Sequence, residues 1–251
     1  MTNLTQETEL LAPLQTFDRN AFVGDARVPQ EICNFVLTLA LIYNDCKDGI
    51  FSNMILTDSK PKGNFELSRD WGAYNGIKVH YIRLHVALIH ELLQLIEDNQ
   101  KLLKHPFFKS VIQKLSRQER ESWNALASAA LQRKTRSSLN KFFLMIRNKV
   151  SFHYDPKGLY GGFRHHFFRN GVASEPPFIS RGTSMQCSRF YFADAAADGY
   201  LASQAEQEDQ KDPMTHLLVL TTDLNTAIMQ IVHQFIQERG FAYQDFTSQS
   251  R

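Results

Sequence analysis

A long run of helical periodicity between Trp71 and Lys104 constrains the fold of this chain more than any other feature. At 1.5 Å per residue, a helix of this length would span roughly 50 Å, which suits one long helix of a helical bundle. His105-Pro106 predicts its end, because proline disfavours a helical conformation in the residue before it. The residues predicted to face inward recur mostly at spacings of three and four: Ile77, Tyr81, Leu84, Leu88, Leu92, Leu95 and Ile96.

The same period and local end signals predict further helices at about residues 29–47, 107–115, 117–133, 138–153 and 213–239. Ser116 and Glu119 have the spacing of a capping box, in which each side chain accepts from the other residue's backbone N–H. Asp212-Pro213 is a typical helix start, and Gly240 is a typical stop. The chain is therefore expected to be rich in α-helix throughout.

These helices predict an all-α, up-and-down helical bundle. Residues 1–17 are expected to form a flexible N-terminal tail, and residues 18–251 a single helical domain. Residues 157–210 contain several glycines and the Pro176-Pro177 pair. They are predicted to be an irregular insertion before the last helix, with a short hairpin around 178–192 as one option.

The charge of the chain is strongly asymmetric, although the net charge is only +2. Residues 101–169 hold fifteen Lys and Arg against three acidic residues, Glu119, Glu121 and Asp155, so this basic block carries +12 and the remainder −10. Such a block attracts a polyanion through its electrostatic field. The alternative is a solvated helical face that pairs with acidic segments of the same fold.

Composition predicts a cytoplasmic protein that does not cross a membrane. Cys33, Cys46 and Cys187 are an odd number without a Cys-x-x-Cys pair, so we expect reduced thiols and neither a disulfide framework nor a zinc site. No segment approaches the ~18 apolar residues of a membrane span. The N-terminal residues lack the basic start and apolar stretch of a signal peptide.

The segment Arg147–Asp155 carries the side chains best suited to chemistry on a phosphodiester. Arg147 keeps its charge at any working pH, which suits a developing phosphate anion. His153 titrates near neutrality and can accept or donate a proton. Asn148 can orient either of them. A surface ion pair for Arg147 and a helix C-terminal role for His153 are the structural alternatives.

This segment, preceded by Phe142, Phe143 and Ile146, resembles the Arg-polar-x(4)-His signature of the HEPN superfamily, and it is most similar to the abortive-infection branch. The resemblance implies a small helical bundle that acts as an RNase in toxin–antitoxin, abortive-infection or antiphage systems. It implies that Arg147 holds the scissile phosphate, His153 is the acid–base group and Asn148 positions the pair. The implied reaction is attack of a ribose 2′-OH on its own phosphorus, without a metal or cofactor.

Arg147 and His153 are six positions apart, a rotation of about 240° on an ideal helix, so they do not share a face. The resemblance implies that two copies of the chain pack their motif helices together and bring both pairs to one cleft. We therefore expect a homodimer, with RNA as substrate and a cognate antitoxin as a possible further partner. The competing hypotheses are a non-catalytic HEPN-like module that binds a nucleotide, RNA or a protein, and a purely structural dimer.

Several neighbours of the motif are secondary candidates. Tyr154 and Asp155 either end the motif helix or orient His153, and Asp155 is also suited to a turn before Pro156. Residues 163–169 alternate aromatic and basic side chains, which suits single-stranded RNA, although aromatic clusters are more often core. A metal pair at His165-His166 is disfavoured because no Cys or carboxylate stands at ligand spacing. The predicted RNA-binding residues are Lys141, Lys149, Arg164 and Arg169.

Overall fold

The computed structural model describes residues 15–62, 68–132, 144, 155–169, 172–173, 176–181, 183–184, 188–207 and 213–245. Helices dominate these residues, and the predicted all-α helical bundle is confirmed. The α-helices within the described ranges are α1 Gln30–Asp58, α2 Arg69–Asp98, α3 Gln100–Leu103, α4 Pro106–Lys114, α5 Arg117–Gln132, α6 Pro156–Phe167, α7 Tyr191–Gln207 and α8 Pro213–Glu238.

Extended structure is limited in the described ranges to two antiparallel pairs of two-residue strands and one isolated bridge. Strand β1 (Gln15–Thr16) pairs with β4 (Gln244–Asp245), and β2 (Phe168–Arg169) pairs with β3 (Val172–Ala173). The bridge joins Ser180 to Arg189, inside the segment where the sequence allows a hairpin. A 3-10 helix covers Arg19–Phe22.

The chain forms two compact units, each assembled from separate segments. Unit 1 contains residues 1–47, 92–131 and 219–251, and unit 2 contains residues 48–91 and 132–218. The boundaries fall inside α1, α2, α5 and α8, so each of these helices contributes to both units, α5 by its last residue alone in unit 2.

The core of unit 1 is built from the apolar faces that the sequence predicts for α1 and α8. The predicted positions Ile32, Phe35, Val36 and Leu39 of α1 are all buried. Phe108 of α4 joins them, with its ring 5.6 Å from that of Phe35 and 5.7 Å from that of Trp123 in α5. Burying one such side chain contributes about 1.5–3 kcal/mol. The predicted inward residues of α8 that belong to unit 1 are likewise buried: Leu220, Leu224, Ile228, Ile231 and Phe235. Leu217 is also buried but belongs to unit 2.

Several helix ends follow the local signals in the sequence. The Ser116 N–H donates to the Glu119 carboxylate at 2.7 Å and the Glu119 N–H donates to the Ser116 hydroxyl at 3.3 Å, which confirms the predicted capping box. After α8, Gly240 adopts φ 85°, a left-handed conformation that favours glycine. The Phe241 N–H then donates to the carbonyl of Ile236 at 3.3 Å, the long bond of a Schellman ending.

The two ends of the described chain meet in unit 1. Gln15 and Thr16, which belong to the predicted flexible tail, pair with Asp245 and Gln244. Arg239, directly after α8, has only 5% of its side chain exposed and forms an ion pair with Asp25 at 2.5 Å. Its guanidinium also donates to the carbonyls of Ala21, Asn20 and Val23. Arg239 therefore fastens the loop before α1 to the end of α8.

The predicted irregular insertion at residues 157–210 is corrected in part, because 157–167 and 191–207 lie in α6 and α7, whereas the described residues between these two helices form only short strands and a bridge. Pro156 occupies the first turn of α6, where its missing N–H is no loss. Gly162 and Gly199 lie at a helix–helix contact and not in a loop.

The inward face of α2 also differs from the prediction in its first half. Ile77 and Leu84, predicted to face the core, are each 38% exposed, whereas Tyr74 and Gly76 are buried. The buried face passes through glycines, which add nothing to a hydropathy pattern. In the second half of α2 the predicted residues Leu92 and Ile96 are buried. In the described part of the chain, no helix combines the length and the apolar character needed to span a bilayer.

Candidate nucleic-acid interface

Most of the predicted site residues, including the whole catalytic set, lie outside the residues that the structure describes. This applies to the predicted catalytic set Arg147, Asn148 and His153, to Tyr154, and to the predicted RNA-binding residues Lys141 and Lys149. The structure does describe Asp155, Arg164 and the backbone of Arg169. The candidate interface is therefore built from the segment that begins at Asp155.

Asp155 is the N-cap of α6. Its backbone is extended (φ −88°, ψ 108°), and its carboxylate accepts a hydrogen bond from the Lys157 N–H at 3.1 Å. Its carbonyl accepts from the Leu159 N–H at 2.9 Å, the first bond of the helix. Aspartate at this position satisfies an otherwise unpaired N–H and complements the positive end of the helix dipole. Asp155 is therefore observed as the N-cap of α6, directly before Pro156, whereas its predicted roles at the end of the motif helix and beside His153 involve residues outside the described ranges.

Glycines bring α6 and α7 into close contact. A Cβ at Gly162 would lie 2.1 Å from the Ala196 carbonyl oxygen and 2.5 Å from the Tyr200 nitrogen. A Cβ at Gly199 would lie 2.4 Å from the Gly162 carbonyl oxygen. Only glycine fits at such distances, so the two helix backbones approach as closely as side chains allow. Around this contact Ala197 and Tyr200 form a small core with Val79 and Leu159 packed against it.

The aromatic and basic residues at the end of α6 divide between core and surface. Phe167 is buried, and its ring lies 4.7 Å from that of Phe163 and 4.6 Å from that of His166. Arg164 and Phe168 are exposed. His165 Nε2 lies 3.8 Å from a carboxylate oxygen of Glu206 in α7, an ion pair when the imidazole is protonated. This segment thus contributes to the core of unit 2 and to its surface.

Ion pairs distinguish the two ends of the basic block. In unit 1, Lys114 pairs with Glu238, and Arg117 pairs with Glu121 at 2.8 Å. In the described part of unit 2, Lys157 and Arg164 of α6 are exposed and neither forms an ion pair. Acidic partners therefore offset some of the positive charge at residues 101–131. The α6 end keeps charge that remains free to interact with a polyanion.

A second polar cluster in unit 2, which the sequence did not predict, lies where α7 meets α2. Arg189 pairs with Asp194 at 2.9 Å, and both side chains lie directly against the backbone of Gly76. The Tyr191 hydroxyl donates to the carbonyl of Arg69 at 3.1 Å, which holds the start of α7 against α2. Two glycines four residues apart, Gly72 and Gly76, were the only sequence signal for this contact.

His80, one turn beyond Gly76, is electrostatically coupled to this cluster. Partial burial and the nearby Arg83 lower its pKa, an effect that Asp194 opposes. A lowered pKa favours the neutral imidazole at neutral pH. The Arg189–Asp194 pair lies against Gly76 and so helps to hold α7 against α2.

The cysteines and possible metal ligands add no further site within the described residues. Cys33 and Cys46 are buried free thiols, and burial raises the pKa of Cys46 to about 11. Such a thiol is a poor nucleophile. Across the described ranges, no three His, Cys, Asp or Glu side chains are grouped so as to hold a metal ion.

Comparison of the chain with protein-family models, with curated proteins and with solved structures gave no match.

Proposed function

We propose that this protein is a metal-independent endoribonuclease of the HEPN type. The observation that carries the proposal is the segment Arg147–Asp155, whose last residue is the N-cap of α6. The carboxylate of Asp155, only two residues after His153, accepts a hydrogen bond from the Lys157 N–H at the start of α6. The exposed charges of Lys157 and Arg164, which form no ion pair among the described residues, follow within the next three turns. A candidate acid–base group is thus directly followed in sequence by groups suited to hold a polyanion.

The proposed reaction needs no group beyond those of the protein and the RNA. His153 accepts the proton of a ribose 2′-OH, the 2′-oxygen bonds to the adjacent phosphorus, and the bond from phosphorus to the 5′-oxygen breaks. A protonated imidazole returns a proton to that leaving oxygen, so the products are a 2′,3′-cyclic phosphate and a 5′-OH. Acid–base assistance contributes roughly 10²–10⁴-fold in rate. Arg147 stabilises the charge that develops on the phosphate oxygens.

The functional unit in this proposal is a homodimer in the cytoplasm. On the predicted motif helix a rotation of about 240° separates Arg147 from His153, so in this proposal a second copy supplies the missing half of the cleft. The proposed role is antiphage defence, either by abortive infection or as the toxin of a toxin–antitoxin pair. An antitoxin would then act by covering the basic surface that holds the RNA.

Cleavage of RNA by the purified chain tests the proposal directly. We expect His153→Ala and Arg147→Ala each to abolish cleavage while the thermal unfolding transition is retained. Lys47→Ala, on an exposed position of α1 outside the basic block, is the control and should cleave like the unaltered chain. Full activity in either motif variant would contradict the proposal. RNA binding without cleavage by the unaltered chain would instead support a non-catalytic binding module.

A further inference from the structure

We infer that one face of α6 is a binding surface for single-stranded RNA, formed by Lys157, Tyr160, Arg164 and Phe168. We call these four residues the α6 stripe. The inference rests on the proposed function, and it identifies the strandedness of the substrate and the residues that hold it. Each of the four side chains is exposed, with 65% of Tyr160 and 43% of Phe168 accessible.

The geometry of the helix aligns these residues. At 100° per residue, Lys157, Tyr160 and Arg164 fall within an arc of about 60° and along about 10 Å of helix axis. Phe168 follows immediately, because its N–H donates to the carbonyl of Arg164 and closes the helix. The contact with α7 through Gly162 lies on the opposite side of α6. Packing inside unit 2 therefore leaves the stripe uncovered.

The chemistry of the stripe alternates between cation and aromatic ring. Lys157 and Arg164 are exposed and form no ion pair in the described chain, so their charges are available to phosphates. Tyr160 and Phe168 present rings of the kind on which unpaired bases stack. A duplex hides its base faces and would use only the cations, whereas a single strand would use both. An acidic protein could pair with the two cations but, like a duplex, would make no stacking contact with the two rings.

Gly161 adds an observation that points to close approach by a ligand. A Cβ at Gly161 would meet no atom within 4 Å, so glycine is not required there by the fold. Glycine inside a helix costs roughly 0.5–1 kcal/mol relative to alanine. Gly161 is exposed and lies beside Tyr160, where the missing side chain leaves room for a base to reach the ring.

The inference is tested with a fluorescent oligouridylate whose 2′-oxygens are methylated, so that no 2′-OH attack is possible. We expect Tyr160→Ala in the full chain to weaken binding about tenfold, and Tyr160→Phe to bind like the unaltered chain. Combining Lys157→Gln with Arg164→Gln should reduce the slope of log Kd against log salt by roughly 1.4, about 0.7 for each phosphate that is no longer neutralised. Anisotropy measures both effects.

A matched pair of glycine substitutions separates the stripe from general charge. Gly161→Glu and Gly49→Glu add the same charge at helical positions where a Cβ meets nothing. Only Gly161→Glu should weaken binding. Equal loss from both variants, or equal affinity for a duplex, for polyglutamate and for the single strand, would overturn the inference.

Cleavage of unmodified RNA distinguishes the two proposals. If the unaltered chain binds the methylated strand through the stripe but cleaves no RNA, the inference stands and the proposed nuclease function fails. If the chain cleaves RNA and the stripe variants bind as the unaltered chain does, the function stands and the inference is overturned.

Discussion

The carboxylate of Asp155 accepts a hydrogen bond from the backbone N–H of Lys157 at 3.1 Å. Through this bond Asp155, the last residue of the predicted catalytic segment, acts as the N-cap of α6. The carbonyl of Asp155 begins the helical hydrogen-bond series with Leu159 at 2.9 Å. A substitution at Asp155 should therefore alter the stability of α6. In the proposed mechanism it should also alter the position of His153, which stands two residues earlier in the chain.

The capping role predicts different effects for two substitutions of Asp155. Asp155→Ala removes the acceptor and should lower the free energy of unfolding by about 1 kcal/mol. Asp155→Asn keeps an acceptor of nearly equal capping strength and should change it by only a few tenths. Urea denaturation followed by circular dichroism measures both. Equal stability of all three proteins would contradict the capping role. Loss of RNA cleavage in Asp155→Asn, which keeps the cap but not the charge, would show that the charge orients His153.

The contact between α6 and α7 predicts opposite signs for alanine at two adjacent glycines. Gly162→Ala places a Cβ within 2.5 Å of backbone atoms of α7, so the helices must separate at a cost of about 1–3 kcal/mol. Gly161→Ala meets no atom and should stabilise the protein by up to about 1 kcal/mol through helix propensity. Chemical denaturation of the two variants checks the difference. Equal stabilities would be incompatible with the close contact.

The ion pair between Lys114 and Glu238 predicts a pH dependence of stability. A hydrogen bond from Lys114 lowers the pKa of Glu238 below its ordinary value of 4.5, which outweighs the opposing effect of burial. Because the folded-state pKa is lower than the unfolded one, this stabilisation is complete above about pH 4.5 and is lost as the pH falls through the folded pKa.

Replacing Lys114 should therefore reduce the loss of stability on acidification. We expect Lys114→Met to flatten the decrease of unfolding free energy below about pH 4.5, the ordinary pKa of Glu238. Lys109→Met, on an exposed position of the same helix, is the matched control and should leave that slope unchanged. Urea titrations at a series of acidic pH values measure the slope, and parallel curves for the two variants would exclude the proposed effect.

The proposed chemistry predicts the identity of the products. Cleaved RNA should carry a 2′,3′-cyclic phosphate and a 5′-OH, and DNA of the same sequence should survive because it lacks the 2′-OH. A chelator should leave the rate unchanged. Mass spectrometry of the fragments gives the end groups. A 5′-phosphate, or activity that depends on Mg²⁺, would require a different mechanism.

The proposed cleft also predicts an oligomeric state. A homodimer should be present at micromolar concentrations, because an ideal helix through the motif would not place Arg147 and His153 on one face. Light scattering measures the mass in solution, and cross-linking from a cysteine introduced near Arg147 locates the interface. An active monomer would refute the shared cleft.

Much of the fold follows from the sequence because its determinants are local. The apolar faces of α1 and α8 repeat at the helical period, and most of the residues they predict are buried, although Ala40 and Tyr43 of α1 are only half-buried. The capping box at Ser116 and Glu119 involves residues three apart, so its geometry is contained in the sequence. Asp155-Pro156 carries the same kind of start signal as Asp212-Pro213 and identifies the start of α6 once both are compared.

Only the tertiary structure decided which sides of α2 and α6 are covered. Gly76 and Gly162 contribute nothing to a hydropathy pattern, yet each is buried at a contact that a Cβ would prevent. Arg189 and Asp194 pair locally, but both lie against Gly76, more than a hundred residues earlier in the sequence, and no local pattern encodes that contact. The sequence by itself determined the composition of the candidate site, because the motif and the basic block are read directly from residues 101–169. Packing determined which of those charges are paired and which face of α6 is exposed, because burial depends on the neighbours that the folded chain supplies.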